Sequence, residues 1–159
     1  MTKKEPLTLD GKNKIQAELD QLVKVDREEI KVKIQEAREL GDLKENAEYH
    51  AAKEKQGHIE GRILQLQGIL SNCEIIEVNP NKIPENIVFG ATVTLFDPEK
   101  DINITYKIVG HEESNKTEGK ISYKSPLAKA LLGKEEGDTI IVHAPKGEIE
   151  YEVEKVEYK

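Results

Sequence analysis

Asp42 and Glu45 stand three residues apart in Gly41-Asp42-Leu43-Lys44-Glu45-Asn46. If that stretch is helical, the spacing sets the two side chains next to each other, about 5–6 Å apart. Adjacent carboxylates are hard oxygen donors, and on a protruding surface they suit a divalent cation such as Mg²⁺, which keeps several of its own waters. The same residues also spell a helix-capping box, with Asp42 accepting from the Glu45 amide and Glu45 reaching back. Acids in a first helical turn complement the helix dipole as well. Local sequence alone favours capping over metal binding.

Two helical segments flank this turn. In the second, Tyr49, Ala52, Gln56, Ile59, Ile63, Leu66, Leu70 and Cys73 alternate at spacings of three and four, the seam of a helix packed along another helix. The first is less regular, with Ile15, Leu19 and Leu22, then Ile30, Ile34 and Ala37 after a gap at Asp26. Asn13–Leu40 contains no Gly or Pro, so it is expected as one helix about 42 Å long at 1.5 Å per residue. Helices joined by a short connection at Gly41 run antiparallel, which leaves the acidic turn as the tip of a hairpin. The seam is most apolar at its base and becomes small and polar toward that tip. A purely structural or dimerising coiled coil is the competing reading of the same pattern.

Composition shifts after Val78. Asn79–Pro84 has the Pro and Asn content of a linker, which divides the chain into an arm over 1–78 and a second domain over 79–159. β-branched segments then follow at Val88–Phe96, Ile102–Val109, Lys120–Tyr123, Thr139–His143 and Ile149–Val156. Their alternation predicts half-buried strands in a mainly antiparallel sheet. One short helix is expected over Leu127–Leu132, with Ser125 as N-cap, Pro126 at the first helical position and Gly133 at the C-terminal cap. The fold class is therefore α+β.

Charged residues make up 35% of the 159 residues and aromatics 4%, with no Trp, which suits long solvated helices rather than a ring-lined ligand pocket. Twenty-four Lys and Arg against 31 Asp and Glu give a net charge of −7. Tight binding of free nucleic acid is not expected, because it needs a basic footprint. The lone Cys73 excludes an internal disulfide and reads as apolar filler in the helix seam. Met1-Thr2-Lys3-Lys4-Glu5-Pro6 carries charges with no apolar stretch behind them, and no run approaches the ~20 residues that span a bilayer. A cytoplasmic protein with no membrane partner is expected. His50, His58, His111 and His143 have no metal-ligand spacing.

The stretch from Ala37 through Gly41-Asp42-Leu43-Lys44-Glu45-Asn46 to Glu54 closely resembles the signature of the bacterial Gre transcript cleavage factors, the GreA type in particular. Ser125–Asp138, Phe89–Val93 and the closing Val153–Tyr158 are similar to the same family, in its order along the chain. The resemblance implies a coiled-coil N-terminal domain and an FKBP-like C-terminal domain that docks on RNA polymerase. The arm then enters the secondary channel, where the 3′ end of a backtracked transcript protrudes. Asp42 and Glu45 become the tip acids that help hold a second Mg²⁺ at the polymerase active site. The protein is then an accessory factor and not itself an enzyme. Arg38 and Lys53, which alone read as solvated charges, fall at a small basic patch that meets the extruded RNA. Tyr49 reads equally as a stacking residue and as seam packing. Ser125 and Pro126 mark a docking edge on the second domain. Two other readings compete: a non-catalytic regulator of the same channel, which needs the arm but not the acid pair, and a prolyl isomerase, which lacks the aromatic-walled pocket it would require.

Overall fold

Leu22 and Ile30 are eight residues apart, one more than a heptad, and the backbone absorbs the extra residue. Helix α1 (Leu9–Gln21) passes into α2 (Arg27–Glu39) through a π-helical turn at Leu22–Asp26. The amide of Arg27 bonds the carbonyl of Leu22, the i→i+5 pattern that inserts one residue into an α-helix. The single α-helix expected over Asn13–Leu40 is thus corrected: the segment starts at Leu9 and carries a π turn where the apolar spacing slips. The turn returns Ile30, Ile34 and Ala37 to the buried side. The computed structural model describes residues 4–42 and 45–158; Met1, Thr2, Lys3, Leu43, Lys44 and Lys159 lie outside the described residues.

Helix α3 (Ala47–Ser71) runs back along α2. Ile30, Ile34, Ala52, Ile59 and Ile63 form the seam, with Leu19, Leu22, Val23 and Tyr49 packed against it. Bidentate ion pairs fix the register. The Arg27 guanidinium donates to both Glu60 oxygens at 2.8 and 2.9 Å, and Arg62 donates to Glu18 at 2.8 and 3.0 Å. Such fork-to-fork pairs add geometric specificity to the apolar seam. The Arg62 hydrogen bond holds the Glu18 carboxyl below its ordinary pKa. Helix α3 stops at Ser71, and Cys73 opens strand β2 (Cys73–Ile75), its thiol donating to the Leu70 carbonyl at 3.3 Å. Cys73 therefore closes the helix end rather than filling the seam.

Two units result, Lys12–Cys73 and Glu5–Gly11 with the chain from Glu74 onward. In the second unit a five-stranded sheet has the order β5-β4-β3-β7-β6, with β3 at Thr92–Asp97, β4 at Ile102–Val109, β5 at Lys120–Ser122, β6 at Thr139–Ala144 and β7 at Gly147–Glu157. All neighbours are antiparallel except β4 and β5. Val93, Leu95, Ile108, Ile140, Val142 and Val153 bury one face under Ala128 and Leu131 of α4 (Pro126–Leu131). Strand β3 alternates buried and half-buried along its whole length, as a one-sided sheet requires.

Strand β1 (Glu5–Leu7) pairs with β2 (Cys73–Ile75), an element not expected from the sequence. Glu113 secures this N-terminal segment. Its carboxylate accepts from the Thr8 amide at 3.1 Å, from the Thr8 hydroxyl and from the Gly110 amide at 2.8 Å. The Thr8 hydroxyl oxygen in turn accepts from the Gly11 amide at 3.0 Å, capping α1. A Cβ on Gly11 would lie 1.8 Å from a Glu113 oxygen, so only glycine fits without displacing that carboxylate.

Candidate functional site

Helix α2 ends in a sequence of tight turns. The Leu40 amide bonds the Ala37 carbonyl at 3.2 Å, and the Gly41 amide bonds the Arg38 carbonyl at 3.0 Å. Gly41 then takes φ +82°, and Asp42 follows with φ +36°. Left-handed backbone is the ordinary end of a helix and favours glycine; of other residues, Asp and Asn tolerate it best. Asp42 thus meets a backbone demand and supplies a carboxylate in one residue. The Glu45 amide donates to the Asp42 carbonyl at 3.2 Å, a bond that joins the backbones of the two acidic residues.

This geometry differs from a helical capping box. Helix α3 begins at Ala47, and its N-cap is Asn46, whose side-chain oxygen accepts from the Tyr49 amide at 3.0 Å. Asp42 is outside the helix, so the pair sits on a turn and not on a helical face. Both side chains are exposed. The first-turn duty that competed for these acids is performed by the next residue.

Asn46 is a site residue that the sequence reading did not single out. Its Nδ2 donates to the Ala37 carbonyl at 2.6 Å and to the Gly41 carbonyl at 3.3 Å. One side chain therefore adds a second bond to the Ala37 carbonyl, which also accepts from the Leu40 amide, and satisfies an open amide at the start of α3. The available signal was an Asn directly before the apolar periodicity of α3, overlooked because Asp42 offered an earlier cap.

Arg38 and Tyr49, read separately in the sequence, come together. The Arg38 guanidinium lies 6.0 Å from the Tyr49 ring centroid, a cation–π distance, and Tyr49 meets His50 edge-on at 5.7 Å. Half-buried against the seam, Tyr49 both packs and carries the arginine. Lys53 is exposed, and its ammonium donates to the Gln56 side chain at 3.3 Å.

Ser125 caps α4 as expected, accepting from the Ala128 amide at 3.2 Å, and Pro126 opens the helix. Just before them, the Tyr123 hydroxyl donates to Glu5 at 2.5 Å and the Lys124 ammonium lies 3.4 Å from the same carboxylate. The Tyr123 bond holds the Glu5 carboxyl below its usual range, while burial first and Glu5 second push the Tyr123 phenol up. The N-terminal strand thus braces the loop leading into Ser125.

Among the described residues no group of three His, Cys, Asp or Glu side chains is placed to hold a metal ion, and no helix is long and apolar enough to cross a membrane.

Fold and site together define a class: an α+β protein whose antiparallel helical hairpin ends in an exposed carboxylate pair. Within it, the chain belongs to the GreA/GreB family of transcription elongation factors. The family's N-terminal profile, "Transcription elongation factor, N-terminal", matches residues 5–75, and "Transcription elongation factor, GreA/GreB, C-term" matches residues 82–158. The chain is 54% identical over 155 residues to the transcription elongation factor GreA of Thioalkalivibrio sulfidiphilus, covering 98% of each chain. It is 54% identical over 153 residues to the GreA of Xylella fastidiosa, covering 96% of this chain and 97% of that one. Among solved structures, GreA factor homolog 1 of Thermus thermophilus aligns with 32% identity over 98% of this chain and 99% of the other, at a TM-score of 0.45.

Proposed function

We propose that this elongation factor rescues backtracked RNA polymerase by lending it two carboxylates. The hairpin of α2 and α3 enters the secondary channel, and Asp42 and Glu45 act as ligands to a second Mg²⁺ at the polymerase active site. The observation that carries this reading is the exposed acid pair on a turn, with capping of α3 assigned to Asn46 instead.

The donor set fits Mg²⁺. Both side chains offer hard oxygens, the ligands this ion takes, and both lie where water can complete its shell. Two carboxylates are too few to fix the ion alone, so the free protein is inert and the remaining ligands come from the polymerase. When bound, the ion supplies Lewis acidity that lowers the pKa of an attacking water. Asp42 and Glu45 contribute charge and orientation. Arg38, carried on the Tyr49 ring, and Lys53 on the opposite helix provide cations for the phosphates of the extruded RNA, positioning it without reading its sequence. The Ser125–Pro126 edge of the second unit supplies docking contacts. The factor is therefore an activator of the polymerase's own cleavage and not a nuclease.

The direct test adds the protein to a stalled, backtracked elongation complex with Mg²⁺ and follows the RNA. Rapid 3′ shortening followed by resumed extension supports the reading. Binding with unchanged or inhibited RNA synthesis and no shortening replaces it with the non-catalytic channel regulator.

A further inference from the structure

We propose that Asn46 is a positioning residue for the acid pair, holding the turn that carries Asp42 and Glu45 at a fixed geometry. This inference rests on the reading of Asp42 and Glu45 as metal-directed ligands. Its geometric part stands on the free protein alone.

Asn46 bonds both borders of the turn. Its Nδ2 takes the Ala37 carbonyl at 2.6 Å and the Gly41 carbonyl at 3.3 Å, while its Oδ1 takes the Tyr49 amide at 3.0 Å. Gly41 and Asp42 are in left-handed backbone, and the Glu45 amide is joined to the Asp42 carbonyl at 3.2 Å. Among the described tip residues, Leu40 is 69% exposed and Gly41, Asp42 and Glu45 are also exposed. Apolar burial therefore does not hold these described tip residues in place. Among the described residues, the two bonds from Nδ2 cross from the start of α3 to the end of α2 and the turn beyond it.

A simple N-cap needs only an oxygen acceptor, and Ser serves there about as well as Asn. What Ser lacks is the amide nitrogen and the length to reach Ala37. Asn46→Ser thus keeps the cap and removes the bridge. Asn46→Ala removes both. A ligand pair displaced by even 1 Å from its productive geometry loses much of its effect, so the bridge belongs to the chemistry through its placement of other groups.

The first readout uses the free protein. Amide hydrogen exchange by NMR is measured at Gly41, Glu45 and Tyr49 in wild type and both variants. Asn46→Ser is expected to speed exchange at Gly41 and Glu45 about five-fold or more, on the scale of losing one or two modest hydrogen bonds, while Tyr49 stays protected. Asn46→Ala should speed all three. The second readout is stimulated RNA cleavage on a backtracked complex, with factor and Mg²⁺ titrated separately. Asn46→Ser should leave the half-saturating factor concentration within about three-fold and lower the plateau rate, or raise the Mg²⁺ requirement, about ten-fold.

Unchanged exchange at Gly41 and Glu45 in Asn46→Ser overturns the inference, as does wild-type plateau and Mg²⁺ dependence alongside loosened amides. Asp42→Asn separates the two claims. If that variant cleaves normally, the reading of the acid pair fails and the catalytic half of the inference fails with it, while the exchange result still decides whether Asn46 orders the turn.

Discussion

Shortening the arm by one heptad should uncouple polymerase binding from cleavage, and the π turn dictates where the cut must fall. Removing Val23–Glu29 would take out four of the five residues of the π turn at Leu22–Asp26 and place Leu22 directly before Ile30. Those two seam residues would then point about 100° apart, since an α-helix turns 360° in 3.6 residues. A cut within purely α-helical backbone keeps phase. Deleting Arg27–Lys33 from α2 and Glu54–Glu60 from α3 removes seven residues from each side, together with both partners of the Arg27–Glu60 ion pair, and joins Asp26 to Ile34 and Lys53 to Gly61. Ile34 then takes the place of Arg27, Ile63 takes the place of Gln56, and the stretch from Ile34 to Lys53, with its acids and basic residues, is untouched. The acids retreat by about 10 Å at 1.5 Å per residue. Magnesium–oxygen bonds are about 2.0–2.1 Å long, so a retreat several times that length leaves the carboxylates out of reach. The variant is assayed for competition with wild type on polymerase, for helicity by circular dichroism, and for shortened RNA on a backtracked complex. Competition within a few-fold and loss of cleavage are expected. Full cleavage by a folded, shortened arm would refute delivery of the carboxylates by reach.

Three further outcomes follow from the same contacts. Gly11→Ala should lower the stability of the second unit by about 1–3 kcal/mol, because the new Cβ displaces a Glu113 carboxylate that would leave the Thr8 and Gly110 amides unpaired; thermal unfolding checks it, and an unchanged Tm would show that Glu113 moves aside freely. Ser125→Ala should cost about 1 kcal/mol as a lost N-cap and weaken competition for polymerase, read by unfolding and by displacement of labelled wild type. The Glu18 carboxyl, depressed by its Arg62 bond, favours the fold above the ordinary carboxylate pKa of 4.5, and that contribution disappears as pH falls through the lower folded value; Glu18→Gln should flatten the acid limb of the arm's Tm against pH, and an identical limb would remove Glu18 from the account.

Most of the fold was legible because its periodicities are local. The seam from Tyr49 to Leu66 and the strands of the second unit each repeat over enough residues to declare themselves, and Ser125-Pro126 with Gly133 bracket α4 by capping chemistry alone. The slip between Leu22 and Ile30 was visible as a gap at Asp26, but a gap does not say whether the helix breaks or widens; a π turn is one of several solutions. Strand β1 was not legible, since Glu5–Leu7 is too short to show alternation and Glu113, which secures the adjoining Thr8, is a hundred residues away. At the tip, residue types revealed Asp42 and Glu45 as candidates but not the conformation that holds them. Capping boxes are written for a residue and the one three beyond it, and Asp42–Glu45 fits that pattern as well as a turn does. The decision went to Asn46 because it can bond both helix ends at once, a contact that exists only after α2 and α3 pair.

In the proposed mechanism Asp42 and Glu45 act by their charge and not by their shape. Asp42→Asn tests it most directly, because Asn tolerates the left-handed backbone at φ +36° as Asp does and so keeps the turn; Glu45→Gln is its companion. Each variant is titrated against a backtracked elongation complex, measuring polymerase binding and RNA shortening in the same samples. Binding within a few-fold of wild type and a fall in stimulated cleavage of about 100-fold or more, the scale of losing an electrostatic group at a reacting centre, is the predicted result. Parallel loss of binding and cleavage, or cleavage at the wild-type rate, would contradict it.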